Sequence, residues 1–248
     1  MRTLAVLSLA ILLAAAAGTG RAVAAAADYA LYAQLLHKYA QGGAVDYAGL
    51  KKERAKLDRF LAAMAQVEPD KLGRAAQMAF YINVYNAWTL WLILTKYPDL
   101  KSIKDLGSLF SGPWSKKIVR LRAGVLTLDE VEHDILRPRF KDPRVHFAVN
   151  CAAKGCPPLR PEPFTGDRLD QQLDQATAAV INDPGRTVLK GNTLYLNKVM
   201  DWYAGDFPRD QVSFVKKYAR GELKKKLDAL GDKVRIEYLD YDWSLNSK

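Results

Sequence analysis

The chain has 248 residues, 49% apolar and 26% charged, with 11 Pro and 16 Gly, a balance that excludes collagen-like, low-complexity and polytopic membrane proteins. The formal net charge is +10 and only two cysteines occur, Cys151 and Cys156. Two thiols are too few for a disulfide-dense scaffold or for a four-cysteine metal site within one chain.

Arg2 is followed by an apolar run over residues 4–17 and then by small residues ending at Ala26. The run is too short to span a ~30 Å hydrocarbon core, and small residues suit cleavage near Ala24 or Ala26. Residues 1–26 are therefore expected to be a signal peptide, leaving 27–248 as a single exported domain, periplasmic or extracellular. No cysteine follows the run, which excludes a lipoprotein anchor, and no transmembrane segment remains after cleavage. Loss of Arg2 and Arg21 takes the net charge from +10 to +8.

No internal repeat and no Gly/Ser linker divides the rest. Three helices are expected first, over 29–40, 50–67 and 70–97. Leu31, Leu35, Leu36 and Tyr39 share one face of the first, which stops at Gly42-Gly43. The third stops at Pro98 and is apolar nearly all round from Phe80 to Leu94, which predicts burial on every side. Within it Asn83 and Asn86 lie three residues apart on one side. A buried amide without partners costs ~1–3 kcal/mol, so each either ties a loop to the core or lines a site. The basic stretch 96–122, with Phe110 and Trp114 interleaved, is either a solvated face or an anion-attracting one. Nucleic acid is not an expected partner, since no recognition motif is present.

The second half turns to short strands, expected over 117–121, 145–150, 187–190, 193–196 and 234–238, with Gly191-Asn192 as a hairpin turn. Helices and strands that do not alternate regularly predict an α+β fold, a helical N-terminal half packed on a small, mainly antiparallel sheet.

Thr127 and Glu130 have capping-box spacing and predict a helix reaching Arg137 before Pro138. On it Glu132 falls inside the apolar arc and must be paired or protonated, while His133 sits at its border. The segment 142–158 then concentrates Arg144, His146, Cys151, Gly155, Cys156 and Pro157. Four readings are open for the thiols: a Cys151–Cys156 disulfide, a nucleophile activated by histidine, a Cys2His2 metal site with His133 and His146, or a redox pair. On an extended strand His146 and Cys151 would be ~16 Å apart on opposite faces. That geometry makes His133 the expected base for Cys151, with Glu132, Asn83 or Asn86 as the orienting third group. Arg144 and His146, two apart, would form a stripe able to hold a carboxylate.

YINVYN (81–86), LDEVEHDILR (128–137), DPRVHFAVNCAAKGCPPL (142–159), the 201–207 stretch and the terminal YDWSLN (241–246) resemble the domain-of-unknown-function 547 family across the mature chain. The family pattern falls on Asn83, Tyr85, Asn86, Glu132, His133, Arg144, His146, Phe147, Cys151, Cys156, Pro157, Asp242 and Trp243. Relatives often carry Gly where this chain has Ala152. Plant-type relatives keep the first cysteine and carry Ser at the second, which implies that Cys151 is a reactive thiol rather than an obligatory disulfide partner. The resemblance implies no cofactor and no established activity.

Two functions follow as expectations. The first is a papain-like or transglutaminase-like thiol hydrolase or acyltransferase, with Cys151 as nucleophile, His133 as base and Asn83, Asn86 or Glu132 in support. The alternative is a non-catalytic envelope binding module, stiffened by a Cys151–Cys156 bridge, that binds a small or peptide-like, anionic ligand through Arg144, His146, Tyr85 and Asp242. Asp242 is expected to be a buried acceptor paired with Arg144 or His146. The aromatic chain end is expected to dock on the core and close it.

Overall fold

The computed structural model describes residues 28–108 and 111–248. The expected signal peptide and Phe110 lie outside the described residues. No described helix is long and apolar enough to cross a membrane.

The fold is α+β. Helix α1 (Ala30–Tyr39) buries Tyr32, Leu35, Leu36 and Tyr39 and runs into a short hairpin of β1 (Ala40–Gln41) and β2 (Ala44–Val45). The helix expected over 50–67 is two: α2 (Tyr47–Lys52), whose first turn Asp46 caps by accepting from Gly49 N, and α3 (Arg54–Met64). Helix α4 (Arg74–Leu94) follows a 3₁₀ turn at Pro69–Lys71 and is the axis of the molecule. From Met78 to Leu90 every residue is buried, as the all-round apolar pattern requires. It packs against α3, against β3 (Val119–Leu121) and against the segments that carry the site.

Strand β3 forms a hairpin with β4 (Gly124–Leu126). A π-helical segment, Glu130–Leu136, leads into α5 (Arg137–Phe140), and a 3₁₀ turn, Pro143–Phe147, precedes the cysteine loop. Helix α6 (Leu169–Ile181) lies against that turn and α4. Strands β5 (Val188–Lys190) and β6 (Thr193–Leu196) pair antiparallel around Gly191, whose φ of +58° suits the expected hairpin turn. Helices α7 (Val199–Trp202), α8 (Gln211–Tyr218) and α9 (Gly221–Leu230) follow, and β7 (Arg235–Tyr238) adds to β6 in parallel. One small sheet was expected, whereas the described residues form three, of which the largest is mixed.

The main correction concerns residues 145–150, which form no strand. Asp142 accepts from Arg144 N and Pro143 occupies the first turn, so the Asp-Pro pair starts a 3₁₀ helix and overrides the β propensity of Val145, Phe147 and Val149. His146 and Cys151 are therefore not on opposite faces of an extended strand.

Candidate active site

Glu132 and His133 are placed by the π-helical turn. Its start is the expected capping box: Thr127 Oγ1 accepts from Glu130 N at 2.9 Å, and Glu130 Oε2 accepts from Thr127 N at 2.7 Å. Val131 and Leu136 anchor the turn in the core, and Glu132 goes in with them, 6% exposed. A π turn inserts a residue into the helical repeat and commonly re-aims side chains at functional sites. Here it sets Glu132 at depth and His133 at the rim of a cavity of about 290 Å³.

His146 enters from the 3₁₀ turn and is 2% exposed. Its Nε2 lies 2.7 Å from Asp206 Oδ2, and Arg137 holds that carboxylate with Nε at 2.5 Å and Nη2 at 3.1 Å. The ring stacks on Tyr203 with centroids 4.1 Å apart. Burial pushes the imidazole pKa below its ordinary value of 6.5, against the opposing hydrogen bond to Asp206 and the negative charges of Glu132 and Asp206. The ring is then neutral at pH 7. Because Nε2 donates to Asp206, the lone pair lies on Nδ1, which is buried without a hydrogen-bond partner, 4.0 Å from Glu132 Oε1.

The cysteine loop supplies the third wall. Cys151 and Cys156 are joined in a disulfide with Cα atoms 6.1 Å apart, and the described residues include no free cysteine. Cys156 is buried and Cys151 half-buried. The Tyr241 hydroxyl lies 3.0 Å from both sulfurs. Ala152 takes φ +64°, a left-handed conformation that Gly adopts more readily, and Asn150 Oδ1 stabilises it by accepting from Ala152 N. Gly155 is required by close approach: a Cβ there would fall 2.9 Å from the Tyr241 ring.

Trp114, Trp202, Tyr203, Tyr241, Trp243 and Tyr85 complete the lining, and its charged groups are the carboxylates of Asp129 and Glu132, with no Lys or Arg. Burial first, and the Glu132 charge second, hold the phenols of Tyr85, Tyr203 and Tyr241 well above their ordinary pKa, so all three stay protonated.

The structure thus brings together Cys151, Cys156, Glu132, His133, His146 and Tyr85. It gives the free imidazole lone pair to His146 rather than to the expected base, His133, whose Nδ1 is 2.9 Å from Arg137 Nη1 and accepts from it. The other expected site residues lie elsewhere. Asn83 donates to Phe164 O at 2.7 Å and accepts from Phe164 N at 2.9 Å. Asn86 holds the cysteine loop from behind, donating to Ala148 O and accepting from Asn150 N. Arg144 is engaged by Asp142, Asp170 and Asp174, so no Arg144–His146 stripe faces an anionic ligand. Asp242 is exposed and accepts from Ser244 N and Oγ rather than pairing with Arg144 or His146. Among the described residues no group of three or more His, Cys, Asp or Glu is placed to hold a metal, so the Cys2His2 arrangement is not formed.

Asp206, Tyr203 and Tyr241 were not singled out from the sequence. Their only signal was the Asp-Trp-Tyr and Asp-Phe pairs of the 201–207 stretch and the aromatic chain end.

A family model described as "Protein of unknown function, DUF547" matches residues 69–181, the span from the start of the 3₁₀ turn before α4 to the end of α6. It contains Tyr85, Glu132, His133, His146 and both cysteines, while Asp206 and most of the aromatic wall lie beyond it. No curated protein and no solved structure matches the chain.

Proposed function

We propose that this chain, which belongs to the DUF547 family, is an exported thiol hydrolase or acyltransferase acting on an amide or ester. Cys151 is the nucleophile once its bond to Cys156 is reduced by a dithiol, and His146 is its base. One observation carries the reading. A neutral His146, oriented through Nε2 by an Arg137-held Asp206, lines the same cavity as Cys151 and leaves Nδ1 without a partner. Nucleophile, base and orienting carboxylate are the parts that acyl transfer needs. In the forward step the imidazole takes the Cys151 proton, sulfur attacks the acyl carbon, and the proton passes to the departing amine or alcohol. Water or a second nucleophile then resolves the thioester.

A second reading rests on the bond itself. With both sulfurs paired, the loop is a stiff wall of a binding pocket and no nucleophile is available.

Alkylation separates the two. In Cys156→Ser, Cys151 is the sole thiol, and activation predicts iodoacetamide labelling at pH 6.5 at least tenfold faster than a simple thiol of pKa ~8.5. His146→Asn in that background should remove the advantage. Labelling no faster than a free thiol, unaffected by His146, sinks the thiol-enzyme reading and leaves the pocket as a binding site.

A further inference from the structure

We infer that the cavity takes a ligand bearing an alkylammonium group, with Glu132 as its counter-ion and the aromatic wall as its cage. The inference rests on the cavity being the functional site and supplies the substrate class that thiol chemistry alone leaves open.

The first argument is an unbalanced charge. The protein carries an excess of basic residues, yet Glu132 is 6% exposed and makes no direct ion pair with a Lys or Arg among the described residues, Arg137 acting on it only at longer range while its guanidinium is bound to Asp206. Its one ion-pair contact is His146 Nδ1 at 4.0 Å, on a ring that burial keeps neutral. A carboxylate taken out of water without a cation is costly, and phenol hydrogen bonds from Tyr85 and Tyr203 replace only part of its hydration.

The second argument is the wall. Trp202, Tyr241 and Trp243 form a continuous ring cluster, with centroids 4.5–5.6 Å apart. Such faces attract cations, and the protein already uses one so: Lys104 Nζ sits 3.7 Å from the centroid of the Trp243 ring. Among the described residues Trp202 is one of two large hydrophobic side chains that are exposed, at 45%, and it borders this cavity.

The third is the set of acceptors. His146 Nδ1, buried and unpartnered, and Glu132 Oε1 present two acceptors to each other with no donor between them. An anionic ligand would add a third negative group beside Glu132 and Asp129. An ammonium ion supplies what is missing. The cavity volume of about 290 Å³ corresponds to about ten water-sized groups, enough for a short alkylammonium arm rather than a folded partner.

In the acyl-transfer cycle this arm is the acyl acceptor. The ammonium gives one proton to solvent by way of Glu132, and its nitrogen attacks the Cys151 thioester. A second proton passes through His146 to the departing sulfur, yielding a secondary amide and the free thiol.

The test uses the oxidised full domain, in which no thiol chemistry can occur, so its outcome is independent of the alkylation experiment. Binding of n-butylammonium, n-butanol and butyrate is followed by the fluorescence of the cavity tryptophans and by ligand-observed NMR. The expected order is butylammonium at least tenfold tighter than butanol, with butyrate weakest. Glu132→Gln should bring butylammonium and butanol to within threefold. Trp202→Ala, at an exposed position that does not threaten folding, should weaken butylammonium binding several-fold. Equal binding of butylammonium and butanol, a preference for butyrate, or a cation preference that survives Glu132→Gln would each overturn the inference, whatever the reactivity of Cys151.

Discussion

At the scale of single residues, His146 is held in a protonation environment that water would not choose. The folded protein resists protonating His146, whereas the unfolded chain takes up that proton near pH 6.5. Stability from this group is therefore full above pH 6.5 and is lost as pH falls from there through the lowered folded pKa. Asp206 acts later: the Arg137 hydrogen bonds hold its pKa below 3.8, so its contribution disappears only in stronger acid. Denaturant unfolding of the wild type between pH 7.5 and 5 should show stability falling with pH, and His146→Asn should flatten that decline. An unchanged slope in the variant assigns the proton uptake to another group. For Glu132 the expectation is opposite in sense to the usual core mutation. Replacing a buried carboxylate that no Lys or Arg contacts directly by its neutral isostere, which can keep the phenol hydrogen bonds, should raise stability at pH 7 by about 1 kcal/mol, measured by urea titration. A loss of several kcal/mol would mean that the carboxylate is structurally satisfied.

At the scale of elements, the sequence was most legible where a local signal and the tertiary context agree. The capping box at Thr127 and Glu130, the hairpin at Gly191 and the buried run of α4 all formed as read, because each depends on neighbours within a turn or two. It misled at 145–150, where alternating apolar residues suggested a strand while Asp142-Pro143 had already started a 3₁₀ turn. That turn moves His146 into the cavity with Cys151 and changes which histidine carries a free lone pair. The asparagines of α4 show the same limit. Their burial was legible, but their partners, Phe164 for Asn83 and the Ala148–Asn150 backbone for Asn86, come from segments more than sixty residues away. Asn83→Ala leaves both the N–H and the C=O of Phe164 unpaired in the core. It should cost about 2–3 kcal/mol in thermal or urea unfolding while leaving the near-ultraviolet signature of the cavity tryptophans intact. Asn86→Ala should cost as much and also disturb that signature, since its partner is the cysteine loop.

At the scale of the whole molecule, the chain end closes the structure, as its aromatic composition predicted. Asn246 N donates to Ala152 O, its side chain accepts from Tyr47 OH at 2.7 Å, and Lys248 N donates to Val45 O. Leu245 is buried, and Lys154 and Gly155 of the cysteine loop donate to Ser244 O and Asp242 O. Deleting residues 245–248 removes one buried leucine and several buried hydrogen bonds, so a loss of about 5 kcal/mol is expected in urea unfolding. The deletion should also open the cysteine loop to proteolysis; a protein as stable and as protease-resistant as the full chain would mean that the end is an ornament of the surface. By itself the sequence determined the α+β class, the buried central helix and the clustering of polar and sulfur-bearing residues in the segment around Cys151, because these rest on composition and on patterns within a few residues. The tertiary structure decided the rest. It joined Cys151 to Cys156, left the buried imidazole nitrogen without a partner on His146 rather than on His133, set Asp206 and Tyr241 beside them, and left Glu132 without a direct Lys or Arg partner among the described residues. Each of these is a contact between segments distant in the chain, and no local periodicity encodes which lone pair is left free when such segments meet.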